Sequence, residues 1–589
     1  MKLTGAQIVI EALLEQGVDT VFGYPGGTVL NIYDELYKAS DKIRHIITCH
    51  EQGATHAADG YARTTGKTGV VIATSGPGAT NTVTGLANAY LDSTPLVAIT
   101  GNVACPLIGR DTFQEVDITG VTMPITKHNY IVKDVHRLAA VLREAFQIAS
   151  SGRPGPVLVD IPKDVQAAVC DFKRKPVPAS KRLEKIDPAS LEKAVKLIKD
   201  SKKPFIYFGG GVVISDASKE LMEFAEKLGA PMGSSMMGLS AVPNGHPLFL
   251  GMTGMHGRFA ASKVLSLSDL IIAVGTRFSD RATGNKSEFS KNRRILHIDI
   301  DPAEVGKNIP AYASLIGDVK QALRLLLEAG IEKASGSWRE EVEQIKSMPD
   351  SHLGMDMEKL NPQAIIEDVC RQSEDDWNIA TDVGQHQMWT AQYYKFKRPR
   401  SFITSGGLGT MGFGMGAAIG AAIGTGKRTV LFTSDGSFHM NMNEMATAVS
   451  LNLPLTVILM NNNALGMVRQ WQTMFYGSRY SQTTLNRQTD YVKLAEAFGA
   501  GGIRLTDKDK IGAVLAEALA AFIQDQGGEI RTRTEIVGVD PEAREPRHVL
   551  REHEAARQER ETRRHDDREP ERAVLEAGHG GPAEVAEVE

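Results

Sequence analysis

Short β-branched runs that stop at glycine or proline recur along the whole chain. TVFGYPGG, GVVIATSGPG, PLVAITGN and GPVLVDIPKD come early, KPFIYFGGG, LIIAVGTRF and RILHIDIDP in the middle, and NIATDVG, RTVLFTSDG and LTVILMNNN late. Runs without polar alternation suit strands covered on both faces, as in parallel sheets. Helical patterns separate them, so the chain reads as α/β, built from doubly wound parallel sheets. Its 589 residues exceed what one core can serve, and three such domains are expected. Their bounds fall at 1–170, 189–330 and 360–526, with a basic, proline-containing linker over 171–188 and a polar linker over 331–359.

Residues 527–589 are a different kind of sequence, with no lysine after Lys510 and no aromatic residue after Phe522. So charged a stretch buries too little apolar surface to offset its ordering entropy, and disorder or a solvated helix is expected. The abrupt change in usage looks like a shifted reading frame.

A net charge of −5 gives no case for nucleic acid or an anionic membrane surface as a partner. No apolar run reaches the roughly 18–20 residues of a membrane span. The N-terminus, MKLTGAQIVIEALLEQG, reads as an amphipathic helix rather than a signal or transit peptide. Cys49, Cys105, Cys170 and Cys370 are scattered without metal-like spacing. They read as buried or half-buried thiols of a cytoplasmic protein.

The third unit holds the most specific chemistry. Asp435 follows the strand RTVLFTS and Asn462 the strand LTVILM, with a helical stretch between. A right-handed crossover would bring both to one carboxyl edge of the sheet. An Asp carboxylate and an Asn carbonyl are hard oxygen donors suited to Mg²⁺. Gly436 and Ser437 would let backbone and hydroxyl approach a phosphate. This pairing resembles the motif of thiamine diphosphate enzymes, which implies the Ala464 carbonyl as a third metal ligand. The family begins the motif with Gly where this chain has Ser434, a change that fits if the backbone there is not left-handed.

Glu51 directly follows a strand and opens a helix. By itself it would be an ordinary partner for the helix dipole. Its surroundings are YPGG (24–27), HEQGA (50–54), SGPGATN (75–81), FQE (113–115) and GRPGPVLVDIPKDV (152–165). In that order they resemble the pyrimidine-binding domain of thiamine diphosphate enzymes, acetolactate synthases in particular. The resemblance spans residues 1 to about 525.

That resemblance implies a pyrimidine domain, a central FAD domain and a diphosphate domain. It also implies at least a homodimer, with Glu51 acting on cofactor held by the partner's third domain, and a small regulatory subunit. Gly384, Gln385 and His386 would meet the diphosphate; Met411 and Met467 would shape the cofactor's seat. Arg281 would take the carboxylate of the second 2-keto acid, Trp471 would shape its pocket, and Phe113, Gln114 and Lys163 would line the channel. FAD would lie on Arg153, Gly209, Gly210, Gly211, His256, Gly257, Arg277, Asp299, Asp301 and Asp318. The expected reaction decarboxylates pyruvate and joins the remainder to pyruvate or 2-ketobutyrate, with FAD in a structural role. A pyruvate oxidase or decarboxylase is the competing enzyme, against which Trp471 and Arg281 argue. Glyoxylate carboligases lack a glutamate where Glu51 stands. In the family the last helix leads into a buried strand and an active-site lid. The altered C-terminus is expected to remove both, leaving reduced or leaky turnover or a protein that only binds cofactor.

Overall fold

The computed structural model describes residues 1–176, 185–331, 336–350, 355–520 and 535–539. Each unit is a six-stranded sheet paired in parallel throughout. In the first the order is Arg44–Ile47, Thr20–Tyr24, Gly69–Ala73, Leu96–Asn102, Pro156–Pro162 and His128–Ile131. The central sheet runs Phe249–Met252, Met232–Ser234, Pro204–Phe208, Leu270–Val274, Arg294–Asp299 and Ala313–Ile316. The third runs Phe402–Ile403, Asn378–Thr381, Thr429–Ser434, Leu455–Met460, Glu535–Val539 and Gly501–Leu505. Strands such as Val70–Ala73 and Val430–Phe432 have no exposed residue, as their unalternating runs require.

The first unit is closed by its own ends. Lys2–Thr4 pairs antiparallel with Val169–Asp171, just where the first linker was expected to begin. Thr4 then starts the helix Gly5–Glu15 with a reciprocal capping box to Gln7. Residues 177–184 of that linker lie outside the described residues.

Three expectations need correction. The polar segment 331–359 contains a helix, Gly336–Lys346, that buries Trp338, Val342 and Ile345 against the central domain. Trp338 donates its indole N–H to the carbonyl of Pro204 at 3.1 Å. Three apolar residues at positions 338, 342 and 345 make one helical face, which the surrounding charges conceal in the average. The charged C-terminal stretch contributes Glu535–Val539 to the third sheet, not at its edge but between Leu455–Met460 and Gly501–Leu505. EIVGV is a short β-branched run, enough for one covered strand, and Val537 is fully buried. The expected loss of the strand is therefore overturned; the expected lid lies outside the described residues. Cys49 is exposed, whereas Cys170 is buried and Cys105 and Cys370 are half-buried.

The first and third units are fused by a helix crossing. Glu51–Thr65 and Phe413–Thr425 approach until a Cβ at Gly60 would strike the Ala417 carbonyl, and one at Gly420 the Ala57 carbonyl. Ala54, Ala57, Ala58 and Tyr61 thereby share one core with Phe413, Ala417, Ala418 and Ala421.

Val537→Asp would bury an unpaired charge in the third sheet, at a cost of about 3–5 kcal/mol. Urea unfolding followed by tryptophan fluorescence should show an earlier transition. An unchanged midpoint would mean that residues 535–539 do not occupy the sheet.

Candidate active site: an oxygen-rich cradle and a flavin-sized cleft

Thr429–Ser434 and Leu455–Met460 lie side by side with Ser434 opposite Met460. Asp435 and Asn462 thus leave the same carboxyl edge, as the crossover argument required. Ser434 is extended, at φ −134° and ψ 167°, so a serine is tolerated without strain. Asp435 is 2% exposed, and its Oδ1 has no hydrogen-bond partner among the described residues. Burial pushes its carboxyl up to about 6, opposed by the backbone N–H groups of Gly436 and Asn462. Asn462 accepts from the Ala464 backbone N–H at 3.1 Å, and its amide approaches Gln385 Oε1 at 3.4 Å.

Gly384, Gln385 and His386 start the helix Gln385–Tyr393 beside this edge. With Met411, Asn462 and Ala464 they line a small cavity, and Met467 stands on its wall. Ser437 donates to the Val383 carbonyl at 2.9 Å. A Cβ at Gly436 would lie 2.8 Å from the Leu465 Cδ2 methyl, so a larger residue there would have to move that side chain. Burial drives His386 down to about 3, leaving a neutral ring whose Nε2 has no partner. Among the described residues no three His, Cys, Asp or Glu side chains cluster to hold a metal. An orphaned carboxylate oxygen beside amide and carbonyl oxygens fits a hard divalent cation.

Glu51 begins the helix Glu51–Thr65, capped by His50. Its Oε2 accepts from Asn81 Nδ2 at 3.0 Å. Gln114 sits nearby in a left-handed conformation, φ 60°, where a Cβ at Gly76 would come within 2.8 Å of its carbonyl. Phe113 is 85% exposed and Lys163 is exposed. None of these four lines the cradle or the larger cleft of the same chain.

That cleft, about 1430 Å³, opens between the three units, above the roughly 300–1,000 Å³ of common ligand pockets. Arg153, Gly210, Gly211, Arg277, Asp299 and Asp318 lie on its walls. His256 lines it beside Arg281, its basicity lowered by burial and then by that guanidinium. Arg153 reaches Ser93 Oγ and Glu304, both at 2.8 Å, and Asp301 at 3.8 Å. Gly209, Gly257 and Asp301 stand behind the wall. Gly209 and Gly211 press on Gly275 of the neighbouring turn, and Asp318 caps the helix Val319–Glu328; these residues thus serve the fold as well. Two guanidinium groups, a glycine turn and carboxylates on one elongated cleft fit a dinucleotide. At the other end the Arg281 guanidinium lies 4.8 Å from the Trp471 ring centroid.

Three domains of thiamine pyrophosphate enzymes match the chain: the N-terminal TPP binding domain at residues 3–121, the central domain at 191–326, and the C-terminal TPP binding domain at 382–527. The chain is 47% identical over 534 residues to the acetolactate synthase of Mycobacterium bovis, covering 88% of this chain and 86% of that protein. It is 46% identical over 526 residues to the acetolactate synthase large subunit of Corynebacterium glutamicum, covering 87% and 84%. To the acetolactate synthase isozyme 3 large subunit of Escherichia coli it is 43% identical over 533 residues, covering 88% and 92%. The chain belongs to the acetolactate synthase large-subunit family of thiamine pyrophosphate enzymes.

Within this family frame the sequence reading missed two carboxylates. Asp382 ends the strand Asn378–Thr381 and accepts from the backbone N–H groups of Val383 at 2.7 Å, Gly412 at 2.8 Å and Gly414 at 3.1 Å. It therefore fixes the turn that carries Met411. Its position in NIATDVG matches that of Asp435 in LFTSDG, and the same signal would have found it. Glu444 accepts from the backbone N–H groups of Cys49 and His50 at 3.2 and 3.0 Å, steadying the residues just before Glu51. No local pattern announces a partner nearly four hundred residues away.

The raised Asp435 carboxyl has a stability consequence. Protonated Asp435 favours the fold below its unfolded value near 3.8, and that contribution is lost as pH rises through about 6. In metal-free protein at pH 7.5 the ionised group should cost up to about 3 kcal/mol. Asp435→Asn should then be more resistant to urea than the parent in EDTA at pH 7.5, with the gap closing near pH 4. A gap independent of pH would refute the assignment.

Proposed function

We propose that this chain is the catalytic subunit of an acetolactate synthase, condensing two 2-keto acids with loss of CO₂. The observation that carries the reading is that the cleft holding Arg281 and Trp471 shares a wall with the cradle cavity at Ser434, Asn462 and Ala464. Val383, Met467 and Val468 face both. An acceptor acid held by Arg281 therefore lies next to where a thiamine cofactor would be seated.

Mg²⁺ would be held by the side chains of Asp435 and Asn462 and the carbonyl of Ala464. Gly384, Gln385, His386, Gly436 and Ser437 would take the diphosphate, with Met411 and Met467 against the rings. Thiamine diphosphate, when bound, supplies a nucleophilic carbon and an electron sink for decarboxylation. Glu51, its Oε2 oriented by Asn81, would hydrogen-bond a pyrimidine nitrogen of the cofactor and so favour the tautomer that takes the thiazolium proton. The planar fork of Arg281 matches the carboxylate of the second acid, and the Trp471 face keeps that fork in place. Pyruvate as acceptor gives 2-acetolactate, and 2-ketobutyrate gives 2-aceto-2-hydroxybutyrate.

FAD would occupy the cleft on Arg153, Gly209, Gly210, Gly211, His256, Gly257, Arg277, Asp299, Asp301 and Asp318. The condensation transfers no net electrons, so its role there is structural. Glu51, Phe113, Gln114 and Lys163 line neither the cradle nor the large cleft of their own chain, which supports a dimer in which they complete the partner's cradle. The relatives from C. glutamicum and E. coli are named large subunits, which supports a small regulatory partner. No helix among the described residues is long and apolar enough to cross a membrane, in keeping with a cytoplasmic enzyme.

Purified protein given pyruvate, thiamine diphosphate, Mg²⁺ and FAD should form acetolactate, assayed as acetoin after acid treatment. Glu51→Gln should slow it about 10²–10⁴-fold. Acetaldehyde or acetate in place of acetolactate would overturn the proposal. A double-mutant cycle on Arg281 and Trp471 should show about 0.5–2 kcal/mol of coupling in kcat/KM, whereas additive losses would separate their roles.

A further inference from the structure

The segment Ser405–Met411 touches both ligand regions. Ser405, Gly406, Gly407, Leu408 and Gly409 line the large cleft, while Met411 lines the cradle cavity. Three of the residues between are glycines, Gly409 in the left-handed region at φ 71°. A chain so free would absorb a displacement at one end before it reached the other.

The first unit prevents that. Asp92 accepts from the backbone N–H groups of Gly406 at 3.1 Å and Gly407 at 2.7 Å. One helical turn earlier, Asn88 accepts from Ser405 Oγ at 2.6 Å and Thr410 Oγ1 at 3.1 Å. Ser405 Oγ in turn accepts from the Thr410 backbone N–H at 2.9 Å, closing the loop across its glycines. Behind this layer Arg63 binds Asp92 at 2.9 Å, Asp59, and the Thr404 carbonyl at 2.8 Å. Asn88 donates to Asp59 at 2.8 Å. The side chains of Asp59 and Asp92 are fully buried, as is Asn88. The next residue, Ser93, accepts from Arg153 in the flavin-sized cleft at 2.8 Å.

We propose that Asp92, with Asn88 and Ser405, is a positioning residue that turns Ser405–Met411 into a stiff strut, so that flavin and thiamine diphosphate bind with positive coupling. The inference rests on the two cofactor sites proposed above. Asp92 touches neither reacting group; it ties the flavin-side turn to the Met411 side. A ligand that settles the strut in one cleft leaves less to be ordered by the ligand in the other. Linkage makes the effect reciprocal. It also gives a flavin without redox work an energetic role at the thiamine site.

The test is calorimetric titration of thiamine diphosphate, in Mg²⁺, into the cofactor-stripped full chain with and without saturating FAD. FAD should tighten thiamine diphosphate about 5- to 150-fold, and thiamine diphosphate should tighten FAD by the same factor. Asp92→Asn, which keeps the shape but weakens acceptance of the two N–H groups, should bring the factor below about twofold while each cofactor still binds alone. Ser405→Ala should do the same and leaves the Arg63–Asp59–Asp92 cluster intact, so it decides the matter if Asp92→Asn does not fold. A wild-type factor near one with both cofactors bound would sink the coupling alone. Variants that keep the wild-type factor would leave the coupling standing and overturn the part assigned to Asp92 and Ser405. Failure of the wild type to bind thiamine diphosphate under any condition would take the functional reading with it.

Discussion

The close crossing of the helices Glu51–Thr65 and Phe413–Thr425 is the constraint on which the remaining architecture depends. At Gly60 and Gly420 one backbone lies directly on the other, leaving no room for side chains. The crossing merges the apolar faces of the first and third units into one core. It also fixes two functional starting points at once, since one helix begins with Glu51 and the other follows Met411. Glu444 and Asp382 then hold the turns at those beginnings. A contact between main chains thus sets where Glu51 and Met411 stand.

The buried carboxylates of the third unit divide by how they are satisfied. Asp382 accepts three backbone N–H groups and Glu444 is bound by two N–H groups and the Thr447 hydroxyl. Both are structural clamps. Asp435 occupies an equivalent strand end, yet one of its oxygens is left without a partner. A buried carboxylate oxygen with no donor is costly, and the nearby Arg487 donates to the Asp435 backbone carbonyl at 3.3 Å rather than to that oxygen. That contrast between neighbours distinguishes a ligand site from a scaffold more sharply than burial does.

Much of this was legible in the sequence because it is local. Asp435 and Asn462 each follow an unmistakable strand, and parallel pairing brings them together. Trp471 and Arg281 lie nearly two hundred residues apart, yet family motifs marked both, and they stack as a pair. What escaped was sparse or distant. Trp338, Val342 and Ile345 form a face of only three residues inside a charged segment, and EIVGV is five residues in an unusual neighbourhood. Asp92 and Glu444 act on partners from another unit, which no periodicity reveals. Glu51 lines neither the cradle nor the large cleft of its own chain, so its local pattern alone does not say what it faces.

The position of Glu535–Val539 bears on how the molecule is made. Among the described residues Gly501–Leu505 pairs with no strand but this one, so it must remain without this ladder while more than thirty further residues leave the ribosome. Until then Leu455–Met460 also presents an open row of amides and carbonyls, the kind of edge that recruits other chains. Maturation of the third unit is therefore tied to the completion of synthesis, and nascent chains stalled before residue 535 should be the species most in need of a chaperone.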